Sequence, residues 1–205
     1  MIQLAPDSSP DPVWRSPADP RLAGLRGCRH WLLDEGSLTR RLIDSGGRFR
    51  VQRLHQSWGT PRASERAVLR CPPRSAALVR EVALLLDDEP VVFARSVFPQ
   101  RSLRGSLAHL RRLRARSLGA ILFSDPGMRR SPFQLARLAP HSAYLPPALR
   151  QSEPAWARRS VFLLAGQRLL VSEVFLAAFR PRTATRAFER ENGRRVSAAI
   201  LDAKH

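Results

Sequence analysis

Lysine is almost missing from this 205-residue chain: the 35 basic residues include a single lysine, Lys204. Schiff-base chemistry needs a buried amine of lowered pKa, and no internal lysine exists to supply one. Cysteine is nearly as scarce. Cys28 and Cys71 form no metal-type or redox-type spacing and no disulfide framework, so a reduced, cytoplasmic setting is expected. Aromatic residues make up 7% of the chain and no base-stacking module is legible, which argues against a nucleic-acid partner. No apolar run approaches the ~20 residues needed to cross a bilayer. The longest candidate, 169–179, is broken by Glu173. The first residues bring Asp7, Asp11 and several prolines in place of a basic then apolar secretory signal. The glycine-rich nucleotide loops, the H-E-x-x-H zinc motif and the G-x-S-x-G nucleophile turn are all absent. The histidines, His30, His55, His109, His141 and His205, are scattered, so no metal is expected.

What is present is ordinary globular composition, 43% hydrophobic and 25% charged, at a length that suits one domain. The formal net charge of +18 would ordinarily suggest a polyanion partner. Because the excess is nearly all arginine, codon bias in a GC-rich genome accounts for it equally well. Three stretches are expected: a loose proline-rich lead-in over 1–24, a folded body over 25–179, and a basic extension over 180–205 with a short helix near 184–192.

Within the body, residues 31–44 read as helical with an interruption, and Ser37 after Gly36 is placed to cap the second helix. Phe49 to Leu54 reads as a strand. Leu78 to Leu86 and Val91 to Phe98 read as a hairpin around a four-residue loop, Asp87 to Pro90. Pairing Leu86 with Val91 would put Arg80, Val82, Leu84, Phe93, Arg95 and Val97 on one face, because side chains alternate along a strand. Leu103, Leu107, Leu110 and Leu113 form a helical stripe with a basic face beside it. Leu118 to Phe123 follows a turn at Ser117, and Phe133 to Leu138 reads as a strand. The clearest hairpin is 161–175, with Gly166-Gln167 as a type II′ turn. Pairing Ala165 with Arg168 would put Glu173 among Leu169, Val171, Phe175, Phe162 and Leu164. Hairpins mixed with helices, without regular strand–helix alternation, define an α+β fold with an antiparallel sheet.

Three charges therefore stand out on apolar strand faces: Arg80, Arg95 and Glu173. A buried charge is costly unless paired. One reading is a structural ion pair of Arg80 or Arg95 with Glu173. The other is a cavity in which an arginine fork takes a substrate carboxylate and the glutamate takes a hydroxyl or a proton.

These residues occur inside segments that, in order, resemble the chorismate pyruvate-lyase family. The segments are Trp31-Leu32-Leu33-Asp34 with Ser37-Leu38-Thr39, Arg80-Glu81-Val82, Ala94-Arg95-Ser96-Val97-Phe98-Pro99 and the run 117–123 from Ser117 to Phe123. They continue with Trp156-Ala157-Arg158-Arg159-Ser160 and the run 170–176 from Leu170 to Leu176. The resemblance implies a six-stranded antiparallel sheet with flanking helices and an enclosed ligand cavity under two helical flaps. It implies elimination of pyruvate from chorismate to give 4-hydroxybenzoate for ubiquinone biosynthesis, by a cytoplasmic monomer without cofactor or metal. By the same resemblance Arg80 binds the ring carboxylate, Glu173 contacts the ring hydroxyl, and Leu38 and Leu118 contribute mainly through backbone. Leu38 stands where better-known members carry Met. Arg95 is a candidate for the second carboxylate. The alternative is a non-catalytic small-molecule sensor, since effector domains of some winged-helix regulators share this fold.

Overall fold

The computed structural model describes residues 11–22, 24, 28–114 and 116–180. Its elements in chain order are α1 (Arg29–Leu32), α2 (Leu38–Asp44), β1 (Phe49–Gly59), α3 (Ala63–Leu69), β2 (Ala77–Leu86), β3 (Glu89–Pro99), α4 (Leu118–Ser124), β4 (Arg129–Arg130), β5 (Gln134–Leu138), β6 (Ala155–Leu164) and β7 (Gln167–Phe175). The basic segment before α4 is a 3₁₀ helix, Gly105–Arg112. The stretch expected to be helical near 184–192 lies outside the described residues.

All seven strands join one antiparallel sheet in the order β1-β2-β3-β7-β6-β4, with β5 also on β6. β4 pairs with Phe162 and Leu163, and β5 with residues from Ala155 to Arg159, so the two lie end to end along the outer edge of β6. Seven strands thus fill six positions. Pro132, which lacks the backbone donor a ladder needs, falls in the break between β4 and β5. The Ser131 hydroxyl bridges the break by accepting from the Val161 amide at 2.9 Å.

Helices and loops cover both faces. On one face, Trp31, Leu32, Leu38 and Leu42 pack on Val51, Val82, Leu84, Val92 and Phe175. Beside them the stripe Leu103, Leu107, Leu110 and Leu113 joins Leu118 and Leu122 over Phe98, Phe162 and Leu169. On the opposite face, Leu69 of α3 sits on Val97 and Leu170, and Tyr144 and Leu145 cover Phe93, Ala157 and Val174. Residues 11–22, inside the stretch read as a lead-in, lie against this body. Arg15 exchanges two 2.8 Å backbone hydrogen bonds with Leu135, and Leu22 is buried.

Two turns differ from expectation. The turn between β2 and β3 is two residues, Asp87 and Asp88, both at positive φ (50° and 67°), with Leu86 opposite Glu89. A bulge then sets Leu85 opposite Pro90 but Leu84 opposite Val92. That extra residue changes the parity of the pairing. Arg80 faces Ser96, and Arg95 faces Glu81. Since a one-residue slip carries a strand's side chains to the other face, Arg80 and Arg95 lie on opposite sides of the sheet. The turn between β6 and β7 is Ala165-Gly166, both at positive φ, a type I′ geometry. The pairing expected there is off by two residues, an even number, so Glu173 keeps its expected face.

Candidate active site

On the face beneath α2 and α4, the sheet carries a pocket of about 640 Å³, counted out to its solvent-facing mouth. Leu38, Arg80, Leu118 and Glu173, four of the five residues singled out from the sequence, line it. Five neighbouring strands supply the floor: Val51 from β1, Arg80, Val82 and Leu84 from β2, Ala94 and Ser96 from β3, Val171 and Glu173 from β7, and Arg158, Ser160 and Phe162 from β6. The roof comes from the starts of two short helices. Ser37 and Ser117 cap them by accepting from the amides of Arg40 and Ala120, each at 3.3 Å. The Thr39 and Ser117 hydroxyls meet at 2.8 Å and join the two helices above the pocket. Gly119 packs against this pair. A Cβ there would come within 3.2 Å of Thr39 Oγ1.

Arg80 is only 1% exposed. Its Nη2 donates to the carbonyls of Arg114 at 3.0 Å and Arg116 at 2.9 Å, which ties the loop before α4 to the site. Its Nε is buried without a partner, and no carboxylate pairs with it among the described residues. Burial, together with the nearby charge of Arg53, pulls the Arg80 guanidinium down to about 10. It stays cationic at neutral pH. A buried, charged fork with an empty edge on a pocket is suited to a ligand carboxylate.

Glu173 is held differently. Arg158, its cross-strand partner on β6, donates from Nε to Glu173 Oε2 at 2.6 Å. Arg158 Nη1 also donates to the carbonyls of Trp31 at 2.7 Å and Asp34 at 3.0 Å, which fixes α1 and the start of the first flap to the sheet. The expected structural ion pair with Glu173 therefore exists, with Arg158 in place of Arg80 or Arg95. One glutamate oxygen is engaged and the carboxylate still lines the pocket.

Arg95, the candidate for a second ligand carboxylate, is outside the site. It donates from Nε to Glu65 Oε1 at 2.7 Å, from Nη2 to Glu65 Oε2 at 3.2 Å and from Nη1 to Glu81 Oε1 at 2.6 Å, all on the opposite face. Burial lowers its pKa, but the hydrogen bonds and charge of Glu65 outweigh it, and the net shift is upward. Beside the cluster, burial and the charge of Glu65 raise the Tyr144 phenol to about 12. This is a matched ionic cluster that clamps α3 to the sheet, and the bulge in β2–β3 puts it there.

Besides Arg159, whose guanidinium bonds to Gln134 and Ser64, two arginines that line the pocket were not singled out in the sequence. Arg158 is one. A signal for it exists: correct pairing across the Ala165-Gly166 turn sets Arg158 opposite Glu173, whereas pairing Ala165 with Arg168 sets Ser160 there. Arg130 of β4 is the other. It sits in a two-residue strand with no periodicity to read. Among the described residues no group of three or more His, Cys, Asp or Glu could hold a metal ion, and no helix is long and apolar enough to cross a membrane.

Fold and pocket together give a cationic pocket on an antiparallel α+β scaffold, with a lining suited to a carboxylate-bearing small molecule. The model of the chorismate lyase family matches residues 11–186. A probable chorismate pyruvate-lyase from Methylobacillus flagellatus is 45% identical over 162 residues, covering 76% of this chain and 90% of that relative. A probable chorismate pyruvate-lyase from Pseudomonas aeruginosa is 47% identical over 147 residues, covering 71% and 81%. This chain belongs to the chorismate lyase family. Among solved structures, the effector domain of PhnF from Mycobacterium smegmatis superposes with a TM-score of 0.57 at 18% identity, covering 75% of this chain and 96% of that one. At that identity the likeness is one of fold.

Proposed function

We propose that this chain is a chorismate pyruvate-lyase, a carbon–oxygen lyase that converts chorismate to 4-hydroxybenzoate and pyruvate. The observation that carries the reading is Arg80. Its buried guanidinium has no anion of its own among the described residues, and it faces the same pocket as a glutamate anchored by Arg158.

Arg80 binds the ring carboxylate through its free edge, and Glu173 accepts the ring hydroxyl. The starts of α2 and α4, at Leu38 and Leu118, close over the ring and contribute mainly through backbone. Chorismate gains aromaticity as it reacts. The ring loses the hydrogen at its hydroxyl-bearing carbon as a proton, the electron pair left behind completes the aromatic ring as the bond to the enolpyruvyl oxygen breaks, and a proton adds at the methylene of the leaving enolpyruvate to give pyruvate. A fixed carboxylate at one end and a fixed hydroxyl at the other hold the ring in one orientation while the ether departs. Positioned charge then does the work, without a covalent intermediate. The protein acts as a monomer, and its product serves ubiquinone synthesis.

The test is to mix purified protein with chorismate in EDTA and follow 4-hydroxybenzoate and pyruvate. Equimolar formation of both supports the reading. A chorismate-induced thermal shift with no product formed would place the chain among sensors instead.

A further inference from the structure

The pocket holds one more cation than the ring carboxylate and Glu173 account for. Arg158 is matched by Glu173, and the Arg159 guanidinium turns to the other face, donating to Gln134 at 2.8 Å and Ser64 at 2.8 Å. Arg130 remains. Its Cζ lies 4.3 Å from the centre of the Phe133 ring, 5.8 Å from Phe123 and 6.0 Å from Phe162. These rings hold the guanidinium at the pocket wall by cation–π attraction. Among the described residues it has no ion pair and no hydrogen bond. Glu173, which is paired with Arg158, exposed Glu35, and Asp34, which is paired with Arg41, act on it only through space. Burial, followed by the charge of Arg158, lowers its pKa, as expected for a cation waiting for an anion.

Its place in the sheet is specific. Arg130 is opposite Phe162 on β6, four strand intervals from Arg80 on β2. At about 4.8 Å per interval the two Cα atoms are ~19 Å apart, and both long side chains line the pocket between them. Arg158 also approaches Phe133, with its Cζ 4.8 Å from the ring centre, so Arg130 lies at the Glu173 end of the pocket. With the Arg159 guanidinium on the other face, Arg80 and Arg130 are left as the two pocket-facing arginines without a carboxylate ion pair among the described residues, an excess of two positive charges on that face. Chorismate is a dianion whose enolpyruvyl ether is attached next to the hydroxyl-bearing carbon. Its second carboxylate therefore belongs near the group that holds the hydroxyl.

We propose that Arg130 binds the second, side-chain carboxylate of a dicarboxylate substrate, so that this enzyme tells substrate from monocarboxylate product at Arg130 while Arg80 holds both alike. This rests on the lyase reading above and assigns to Arg130 the role that Arg95 cannot fill. It also gives the product an exit route in energy: once pyruvate has left, the aromatic product no longer engages Arg130.

The experiment compares two ligands on the whole protein: 4-hydroxybenzoate, and 3-(carboxymethoxy)-4-hydroxybenzoate, which carries both carboxylates and cannot react. In the unmutated protein the dicarboxylate binds at least tenfold more tightly, and the advantage shrinks as salt is raised. Arg130→Met removes that advantage, leaves 4-hydroxybenzoate binding within twofold, and raises the KM for chorismate at least tenfold. Arg80→Met weakens both ligands. Arg130→Gln is measured in parallel, in case the Met variant melts early. Equal affinity of the two ligands for the unmutated protein, or Arg130 variants that lose both ligands alike or neither, would overturn the proposal. Failure of the lyase reading looks different: no turnover of chorismate by the unmutated protein.

Discussion

Glu173 and Arg158 are Cα partners across β6 and β7, and their side chains meet at 2.6 Å on the floor of the pocket. The salt bridge sits where 3% of the arginine and 18% of the glutamate side chain is exposed, so it is largely withdrawn from water. Arg158 keeps two further acceptors, the Trp31 and Asp34 carbonyls. Removing the charge on Glu173 therefore should not strand Arg158. In Glu173→Gln the amide oxygen still accepts from Arg158 and from a ligand hydroxyl, but the negative charge is gone. We expect kcat to fall by about 10²-fold or more, in the range seen when a positioned carboxylate is lost, with KM changed less than about tenfold. Turnover within a few-fold of the unmutated protein would show that the carboxylate charge takes no part in the reaction.

Arg80 and Arg95 are both buried on strands of one hairpin, yet they respond oppositely to the same change. Arg95 is matched by Glu65 and Glu81, so Arg95→Met takes the cation away from one buried and one partly buried carboxylate. Breaking such a pair from one side costs about 3–5 kcal/mol. Arg80 has no carboxylate among the described residues, and Met in its place removes an uncompensated buried charge at the expense of two hydrogen bonds to carbonyls. We expect Arg80→Met to leave the unfolding free energy within about 1 kcal/mol of the parent while lowering kcat/KM by at least ~10²-fold. Arg95→Met should do the reverse: lower the denaturation midpoint sharply and leave the kcat of the folded fraction nearly intact. Denaturant titrations beside steady-state kinetics decide it. Equal loss of activity in both variants would refute the separation of the two faces.

Much of this was legible in the sequence because alternation and turns are local. The leucine stripe of 103–113, the capping serine Ser37 and the face of Glu173 follow from spacing alone, whereas Ser117, read as a turn, proves to cap α4. Arg95 was misplaced because a single bulge between Leu84 and Leu85 inverts the parity of everything beyond it, and nothing in Leu-Leu-Leu marks where a bulge falls. The matched cluster was hidden for a related reason. Glu65, its main anion, lies on α3, a seven-residue helix between strands that no long apolar period announces. Arg130 depends on a tertiary relation, the end-to-end placement of β4 and β5, which sequence spacing does not encode.

The turn Ala165-Gly166 supplies a check on backbone strain. Ala165 is exposed at φ 46°, in the left-handed region where a side chain is disfavoured and Gly or Asn is usual for a type I′ turn. Ala165→Asn should therefore raise the unfolding free energy by about 0.5–1 kcal/mol, read as an upward shift in Tm, with kinetics unchanged. A lower Tm would mean that the turn adopts another geometry in solution.

The hydroxyl pair Thr39–Ser117 is the contact that joins the two roof helices directly by side chains at 2.8 Å. Thr39 is buried and branched, so Thr39→Val keeps its shape and removes only the hydroxyl, while Ser117 keeps its cap on α4 through the Ala120 amide. A neutral hydrogen bond of this kind contributes about 0.5–1.5 kcal/mol. If the roof must part for product to leave, that energy appears in the opening equilibrium. We then expect the inhibition constant of 4-hydroxybenzoate to rise about two- to tenfold, and kcat to rise where release limits turnover. The same substitution should leave the KM-normalised effect of Arg80→Met unchanged, because the roof contact and the carboxylate fork act on different steps. Stopped-flow displacement of 4-hydroxybenzoate measures the release rate directly. A release rate equal to that of the unmutated protein would show that ligand leaves without separating α2 from α4, through the mouth of the pocket alone.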